Sequence, residues 1–180
     1  TLYAHWTANV YTITLNNQSA TTAGSTAIYE KYATGIYKES SCTTAMTTSA
    51  NAITVPSRAY TVTFNYNGNG TANTTATATW TFGGYYTATG GGGTQRIGAN
   101  GYITTNLTNT TYTANATLYA KWTGGTVSLP SPTRTGYTFA GWYTAASGGT
   151  QVTSSTQIKS SQTLYAHWTA NVYTITLNNQ

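Results

Sequence analysis

Aspartate is missing from this 180-residue chain, and its only acids are Glu30 and Glu39. Asp, Glu, Lys and Arg together make up 5% of the residues, against roughly 25% in an ordinary soluble domain. Catalysis by paired carboxylates is excluded, because the spacing of Glu30 and Glu39 fixes no shared geometry and no aspartate assists them. Cys42 is the single cysteine. It rules out an intrachain disulfide framework and leaves either a small, partly buried thiol or a bridge to another molecule. No apolar run approaches the roughly 20 residues of a membrane span, and no signal peptide is visible. The net charge of +5 comes from seven basic residues, scattered from Lys31 to Lys159. They form no stripe, so nucleic acid is not expected as a partner. Solubility falls to hydroxyls and amides, roughly a quarter of the chain being threonine.

What the chain has in quantity is repetition. "TLYAHWTANVYTITLNNQ" occupies Thr1 to Gln18 and recurs letter for letter from Thr163 to Gln180. The offset is 163 − 1 = 162 residues, which reads as one period of a tandem array whose ends here are cuts. "TLYAKW" at Thr117–Trp122 repeats the opening phrase, "WTFGGYYTATGGGGTQ" from Trp80 matches "YTFAGWYTAASGGTQ" from Tyr137, and "YTITL" at Tyr11 returns as "YTVTF" at Tyr60. Sequence self-similarity of this kind marks an array of small units.

Each phrase predicts a strand. Tyr11, Ile13 and Leu15 alternate with Thr12 and Thr14, which places the apolar side chains on one face. Leu118, Ala120 and Trp122 share a face, with Tyr119 and Lys121 on the other. Glycine and asparagine clusters such as Asn67–Gly70, Gly90–Gly93 and Gly148–Gly149 supply turns. Pro56, Pro130 and Pro132 fall at strand entrances. Helix is disfavoured by the abundance of Thr, Gly, Asn, Tyr and Val without a 3.6-residue stripe. The expected fold is mainly β, with short antiparallel strands. Its expected divisions are the end of a preceding module with a linker (1–10), three modules (11–58, 59–122, 123–168), and a linker with the first strand of the next module (169–180). Modules this small lean on adjacent copies for stability. The expected core is Trp6, Trp80, Phe82, Trp122, Phe139 and Trp168.

The stretch Leu129–Trp168 resembles the Listeria–Bacteroides repeat, also called the internalin B-repeat, of bacterial surface proteins. It carries Thr-Gly-Tyr-Thr-Phe at Thr135–Phe139, Gly-Trp-Tyr at Gly141–Tyr143, Gly-Gly-Thr at Gly148–Thr150 and Thr-Leu-Tyr-Ala-His-Trp at Thr163–Trp168. The resemblance extends over about two thirds of the chain. The first module lacks the Gly-Trp-Tyr phrase, and the third lacks the opening strand. It implies tandem β-grasp-like modules in an elongated array at the cell surface, serving as spacers or adhesive elements without enzymatic activity.

No residue set predicts catalysis, a metal site or a cofactor. His5 and His167 hold a repeat position that Lys121 fills in the middle copy, an exchange that neither a general base nor a metal ligand survives. Cys42 has no base linked to it. "TGGGGTQ" lacks the lysine and the strand-to-helix setting of a phosphate loop. A lysine–asparagine crosslink would need Glu30 or Glu39 beside it. Non-catalytic candidates are glycan attachment at the sequons of Asn17, Asn69, Asn73, Asn106, Asn109 and Asn115, sugar stacking on Tyr85 or Trp142, and the alternating Thr75, Thr77, Thr79 and Thr81, which any outward strand face also produces.

The sequence therefore points to a non-enzymatic extracellular fibre or stalk of an adhesin-like surface protein. Its expected partners are neighbouring repeats, or further copies of the chain, together with covalent glycans or environmental carbohydrate. Two alternatives remain: a filament self-assembling by strand pairing between chains, and a carbohydrate-binding adhesive module.

Overall fold

The computed structural model describes residues 1–178. Along the chain run β1 (Val10–Asn16), β2 (Ala27–Lys31), β3 (Gly35–Tyr37), β4 (Arg58–Asn65), β5 (Thr74–Tyr86), β6 (Gln95–Ile97), β7 (Ala116–Gly124), β8 (Tyr137–Tyr143), β9 (Gln151–Val152) and β10 (Gln162–Ala170). The fold is mainly β. Helical structure among the described residues is limited to a single 3₁₀ turn at Thr89–Gly91.

The chain divides into two units, each assembled from separated segments. Unit one comprises Thr1–Ala59 with Trp80–Gly124, and unit two comprises Tyr60–Thr79 with the chain from Gly125 onward. This departs from three consecutive modules at 11–58, 59–122 and 123–168. The two deficits seen in the sequence are the physical reason. Residues 11–58 supply an opening strand but no Gly-Trp-Tyr strand, and the region from Trp80 to Trp122 completes them. Residues 123–168 lack an opening strand, and "YTVTF" in β4 supplies it.

Each unit has one strand plan. In unit one the order is β3-β2-β1-β7-β5, with β6 also on β5; in unit two it is β4-β10-β8-β9. The opening strand lies parallel to the last one in both. β1 runs beside β7 with Leu15 opposite Leu118, and β4 runs beside β10 with Phe64 opposite Leu164. The last strand then pairs antiparallel with the Gly-rich aromatic strand, β7 with β5 and β10 with β8. That strand carries a short antiparallel partner, β6 or β9.

Alternation along the strands builds the cores. Ile13, Leu15, Ile28, Phe82, Tyr85, Ile97, Leu118 and Ala120 belong to the core of unit one. Val62, Phe64, Tyr66, Trp142, Ile158, Leu164 and Ala166 belong to that of unit two. Each large side chain fully buried this way contributes about 1.5–3 kcal/mol. Thr75, Thr77, Thr79 and Thr81 face outward, while Ala78 and Trp80 face in.

The aromatic strands break this alternation in the same way. Phe82 and Tyr85 pack together in unit one, their ring centroids 5.2 Å apart, and Phe139 and Trp142 pack together in unit two at 5.7 Å. Residues three apart in a strand face the same way only across a bulge. The pairing register shifts between Phe82 and Tyr85, and again opposite Phe139 and Gly141. Gly84 (φ 103°) and Gly141 (φ 133°) supply the backbone conformations involved.

The tryptophans of the last strands brace the rings from the side. Trp122 lies 5.6 Å from Phe82, and Trp168 lies 5.4 Å from Phe139. Trp80 is buried, with the guanidinium of Arg58 at 4.1 Å over its ring. Trp6, expected in the core, is 92% exposed. Among the described residues the segment from Thr1 to Asn9 forms no strand. Trp6 therefore lacks the neighbouring phenylalanine and carbonyl that hold Trp122 and Trp168.

Candidate functional site

The loop after each aromatic strand is where side chains with chemical capacity gather. In unit two, β8 leads into Thr144–Thr150, closed because Thr144 N–H donates to Thr150 O at 3.0 Å and Thr150 N–H to Thr144 Oγ1 at 2.9 Å. Unit one repeats the closure, with Thr87 N–H to Thr94 O at 3.1 Å and Thr94 N–H to Thr87 Oγ1 at 2.9 Å. The next residue is a glutamine in both copies. Gln95 Nε2 donates to Gly83 O at 3.0 Å and Gln151 Nε2 to Ala140 O at 3.3 Å, so each glutamine satisfies a carbonyl that the bulge leaves out of the ladder. Sequence reasoning passed over these glutamines, although "GGTQ" stands in both copies.

On the outer face, His167 stacks flat on Tyr143 with centroids 3.9 Å apart and planes at 9°. His167 Nε2 lies 2.9 Å from Ala145 O, which ties the loop to β10. In unit one Lys121 takes this place, its Nζ 5.4 Å from the centre of the Tyr86 ring. His167 thus bonds to its loop, and the Lys121 stem packs beside Gly91 of the corresponding loop in unit one. His5 lies exposed in the segment preceding β1.

Beside His167 opens a cleft of about 300 Å³ lined by Asn67, Arg134, Tyr137, Ser147, Gly148 and Trp168 among others. Arg134 lies over Tyr137 at 3.9 Å and faces Trp168 at 6.0 Å. Asn67 Nδ2 donates to Ala146 O and Ala166 O, both at 3.2 Å. The cleft holds a cation on an aromatic floor, and its lining includes no carboxylate. Among the described residues no group of three or more His, Cys, Asp or Glu could hold a metal ion.

The two carboxylates are separate and differ in character. Glu30 on β2 is fully buried and accepts the Tyr112 N–H at 3.1 Å on each oxygen. Burial pushes its carboxyl above the ordinary value, against the opposing pull of the Tyr112 and Thr111 N–H groups and of Arg96. The same burial raises the Tyr112 phenol. Arg96 Nη1 donates to Asn106 O, so β2 and β6 both fasten the loop that precedes β7. Glu39 organises its own turn, accepting N–H groups from Thr44 and Thr43 and the Thr43 hydroxyl. These bonds, that of Thr44 foremost, hold its carboxyl below the ordinary value. Cys42 sits in the same turn, a half-buried free thiol at φ 52°.

The expected sugar-stacking residues are corrected. Tyr85 is 0% and Trp142 1% exposed, because the bulge turns both inward. Their tails are also engaged: Tyr85 Oη donates to Asn17 Oδ1, and Trp142 Nε1 to Pro130 O at 2.7 Å. Burial raises the Tyr85 phenol pKa strongly. Among the sequon asparagines, Asn73, Asn106 and Asn115 are exposed, while Asn17, Asn69 and Asn109 are half-buried. Asn17 also lends its carbonyl to Trp122 Nε1 at 3.1 Å.

Residues 123–167 match the Listeria-Bacteroides repeat domain, a repeat of bacterial surface-associated proteins. The match takes in Arg134 to His167 of the cleft just described and includes β8, β9 and most of β10. Nothing among the curated proteins or the solved structures matches the chain. Among the described residues no helix is long and apolar enough to cross a membrane.

Proposed function

We propose that this chain is a non-enzymatic structural segment of a bacterial surface protein, in which tandem β-grasp-like units build an extracellular fibre or stalk. The observation that carries this reading is the exchange of Lys121 for His167 at one position of two matching units. A residue tied to a reaction tolerates no such exchange, whereas a loop brace does. The strand plan, with first and last strands parallel and adjacent and an aromatic strand beyond them, supports the β-grasp-like part of this reading. The repeat at 123–167 supports the surface setting. Exposed Asn73, Asn106 and Asn115 are the sequons best placed to carry glycans.

The test is twofold. Brief protease treatment of intact cells is expected to release peptides from this chain, and scattering from the purified chain is expected to give an elongated, concentration-independent particle. Release only after lysis, or a spherical particle, would overturn the reading.

A further inference from the structure

Unit two carries two charged side chains, Arg134 and Lys159, and no acid, because Glu30 and Glu39 both belong to unit one. Lys159 is exposed, as an ammonium ordinarily is. Arg134 is half-buried and lines the cleft beside His167. A turn fixes it there: Tyr137 N–H donates to Arg134 O at 3.1 Å, and Gly136 takes the positive φ, 78°, that a type II turn requires at its third residue. The guanidinium lies 3.9 Å over the Tyr137 ring, with Trp168 at 6.0 Å. Stacking uses the face of the guanidinium and leaves its in-plane N–H groups to the cleft. Among the described residues no carbonyl or carboxylate accepts from them. Asn67 donates both amide N–H bonds, to Ala146 O and Ala166 O, which fixes its orientation and leaves Oδ1 as an acceptor. The exposed Ser147 adds a hydroxyl to the same lining.

We infer that this cleft binds an acidic sugar, the carboxylate-bearing ring of a uronate-type residue. The guanidinium fork matches a carboxylate bidentately. Its stacking on Tyr137 holds the fork in place before the ligand arrives, which lowers the ordering cost of binding. Asn67 Oδ1 accepts a ring hydroxyl, and Ser147 Oγ pairs with another. A volume of about 300 Å³ lies at the small end of ligand sites and suits a single ring. With a cation and no carboxylate in the lining, the field favours an anion over a neutral or cationic ligand. The site belongs to unit two. Aligning Trp80 with Tyr137 puts Thr77 at the place of Arg134, and aligning Tyr11 with Tyr60 puts Gln18 at that of Asn67. The arginine over Trp80 is Arg58, which comes from β4 and covers a buried ring. These residues differ from the buried Tyr85 and Trp142, and the binding does not depend on the fibre role proposed above.

Nuclear magnetic resonance titration of the full chain tests the site, with the Trp168 indole N–H as the reporter beside the cleft. Methyl glucuronide is expected to shift that signal saturably. Methyl glucoside, which replaces the carboxylate by a hydroxymethyl group, and acetate, which lacks the ring, are each expected to bind at least about tenfold more weakly. Arg134→Gln removes the fork, and Ser147→Asp places a like charge in the lining from an exposed loop position. Both are expected to weaken methyl glucuronide by about tenfold or more, while Lys159→Gln, outside the lining, leaves it unchanged. Urea denaturation verifies that unit two stays folded in each variant, and Ser147→Asp keeps the test decisive if Arg134→Gln does not fold. Equal affinity for methyl glucoside or acetate, native affinity in Ser147→Asp, or a Trp168 signal that does not move would each overturn the inference.

Discussion

Trp168 donates its indole Nε1–H to the backbone carbonyl of Tyr66 at 3.1 Å. Trp122 does the same to Asn17, also at 3.1 Å. Each acceptor lies just beyond the opening strand of its unit, and each donor lies on the last strand. The bond therefore locks the parallel pair at the end where its ladder stops, while the indole covers the bulged aromatic strand. Asn16 and Asn65 shape the chain there in matching turns, their Oδ1 atoms accepting the N–H groups of Gln18 at 3.0 Å and Asn67 at 2.9 Å.

Replacing Trp168 by Phe retains most of the packing and removes the hydrogen bond. The expected loss is about 0.5–1.5 kcal/mol for unit two. Trp168→Ala also removes the ring packed against Phe139 and is expected to cost roughly 2–4 kcal/mol, below a fully buried ring because Trp168 is half-buried. Urea denaturation followed by circular dichroism measures both, and equal losses would deny the packing role.

Gly141 and Gly136 both have positive φ, 133° and 78°, but differ in their surroundings. A Cβ on Gly141 would lie 2.6 Å from Gln151 Nε2, whereas one on Gly136 meets nothing within 4 Å. Gly136→Ala is expected to cost about 1 kcal/mol from backbone strain, and Gly141→Ala roughly 2–4 kcal/mol from strain plus contact. In a double-mutant cycle Gln151→Ala is expected to recover the contact part. Additive losses would show that the cost at Gly141 does not come from contact with Gln151.

The two glutamates tilt the acid stability of unit one in opposite directions. Glu30 has its carboxyl pKa raised in the folded state, so its contribution is complete below the ordinary pKa and is lost as pH rises through the raised value. Glu39 has its pKa lowered, so its contribution is present above the ordinary pKa and is lost as pH falls through the lowered value. Thermal melts from pH 3 to 7 are expected to lose the falling limb in Glu30→Gln and the acid-side drop in Glu39→Gln. Glu30→Ala, which leaves the Tyr112 N–H without its acceptor, is expected to cost about 1–3 kcal/mol. Parallel melting curves for Glu30→Gln and the native chain would contradict this assignment.

Exchanging the loop braces, with His167→Lys and Lys121→His together, is expected to change stability by less than about 1 kcal/mol. His167→Ala alone is expected to speed hydrogen exchange in Thr144–Thr150 and leave β8 unchanged. If the exchanged pair melts several degrees lower, the two positions are not equivalent.

Much of the strand content was legible, because Ile13 and Leu15, Leu118 and Ala120, and Leu164 and Ala166 keep strict alternation. Turn chemistry was legible at the glycine clusters. The inward turn of Tyr85 and Trp142 was not. An unbroken period of two from Phe82 or Phe139 places them outside, and a bulge announces itself only through the glycine before each ring. The partition was hidden for another reason. Periodicity locates strands without naming their partners, so the pairing of β4 with β10, about a hundred residues apart in sequence, leaves no local signature. Glu30, Arg96 and Tyr112 likewise meet only through that kind of long-range closure.

The parallel placement of β4 against β10 has a mechanical consequence. Tension that draws the start of β4 backward and the end of β10 forward acts along the hydrogen bonds linking Val62–Asn65 to Gln162–Tyr165 sideways, in shear. The bonds must then fail together instead of unzipping one by one. Unit two is accordingly shaped to resist being stretched from its two ends far better than its small core alone would allow.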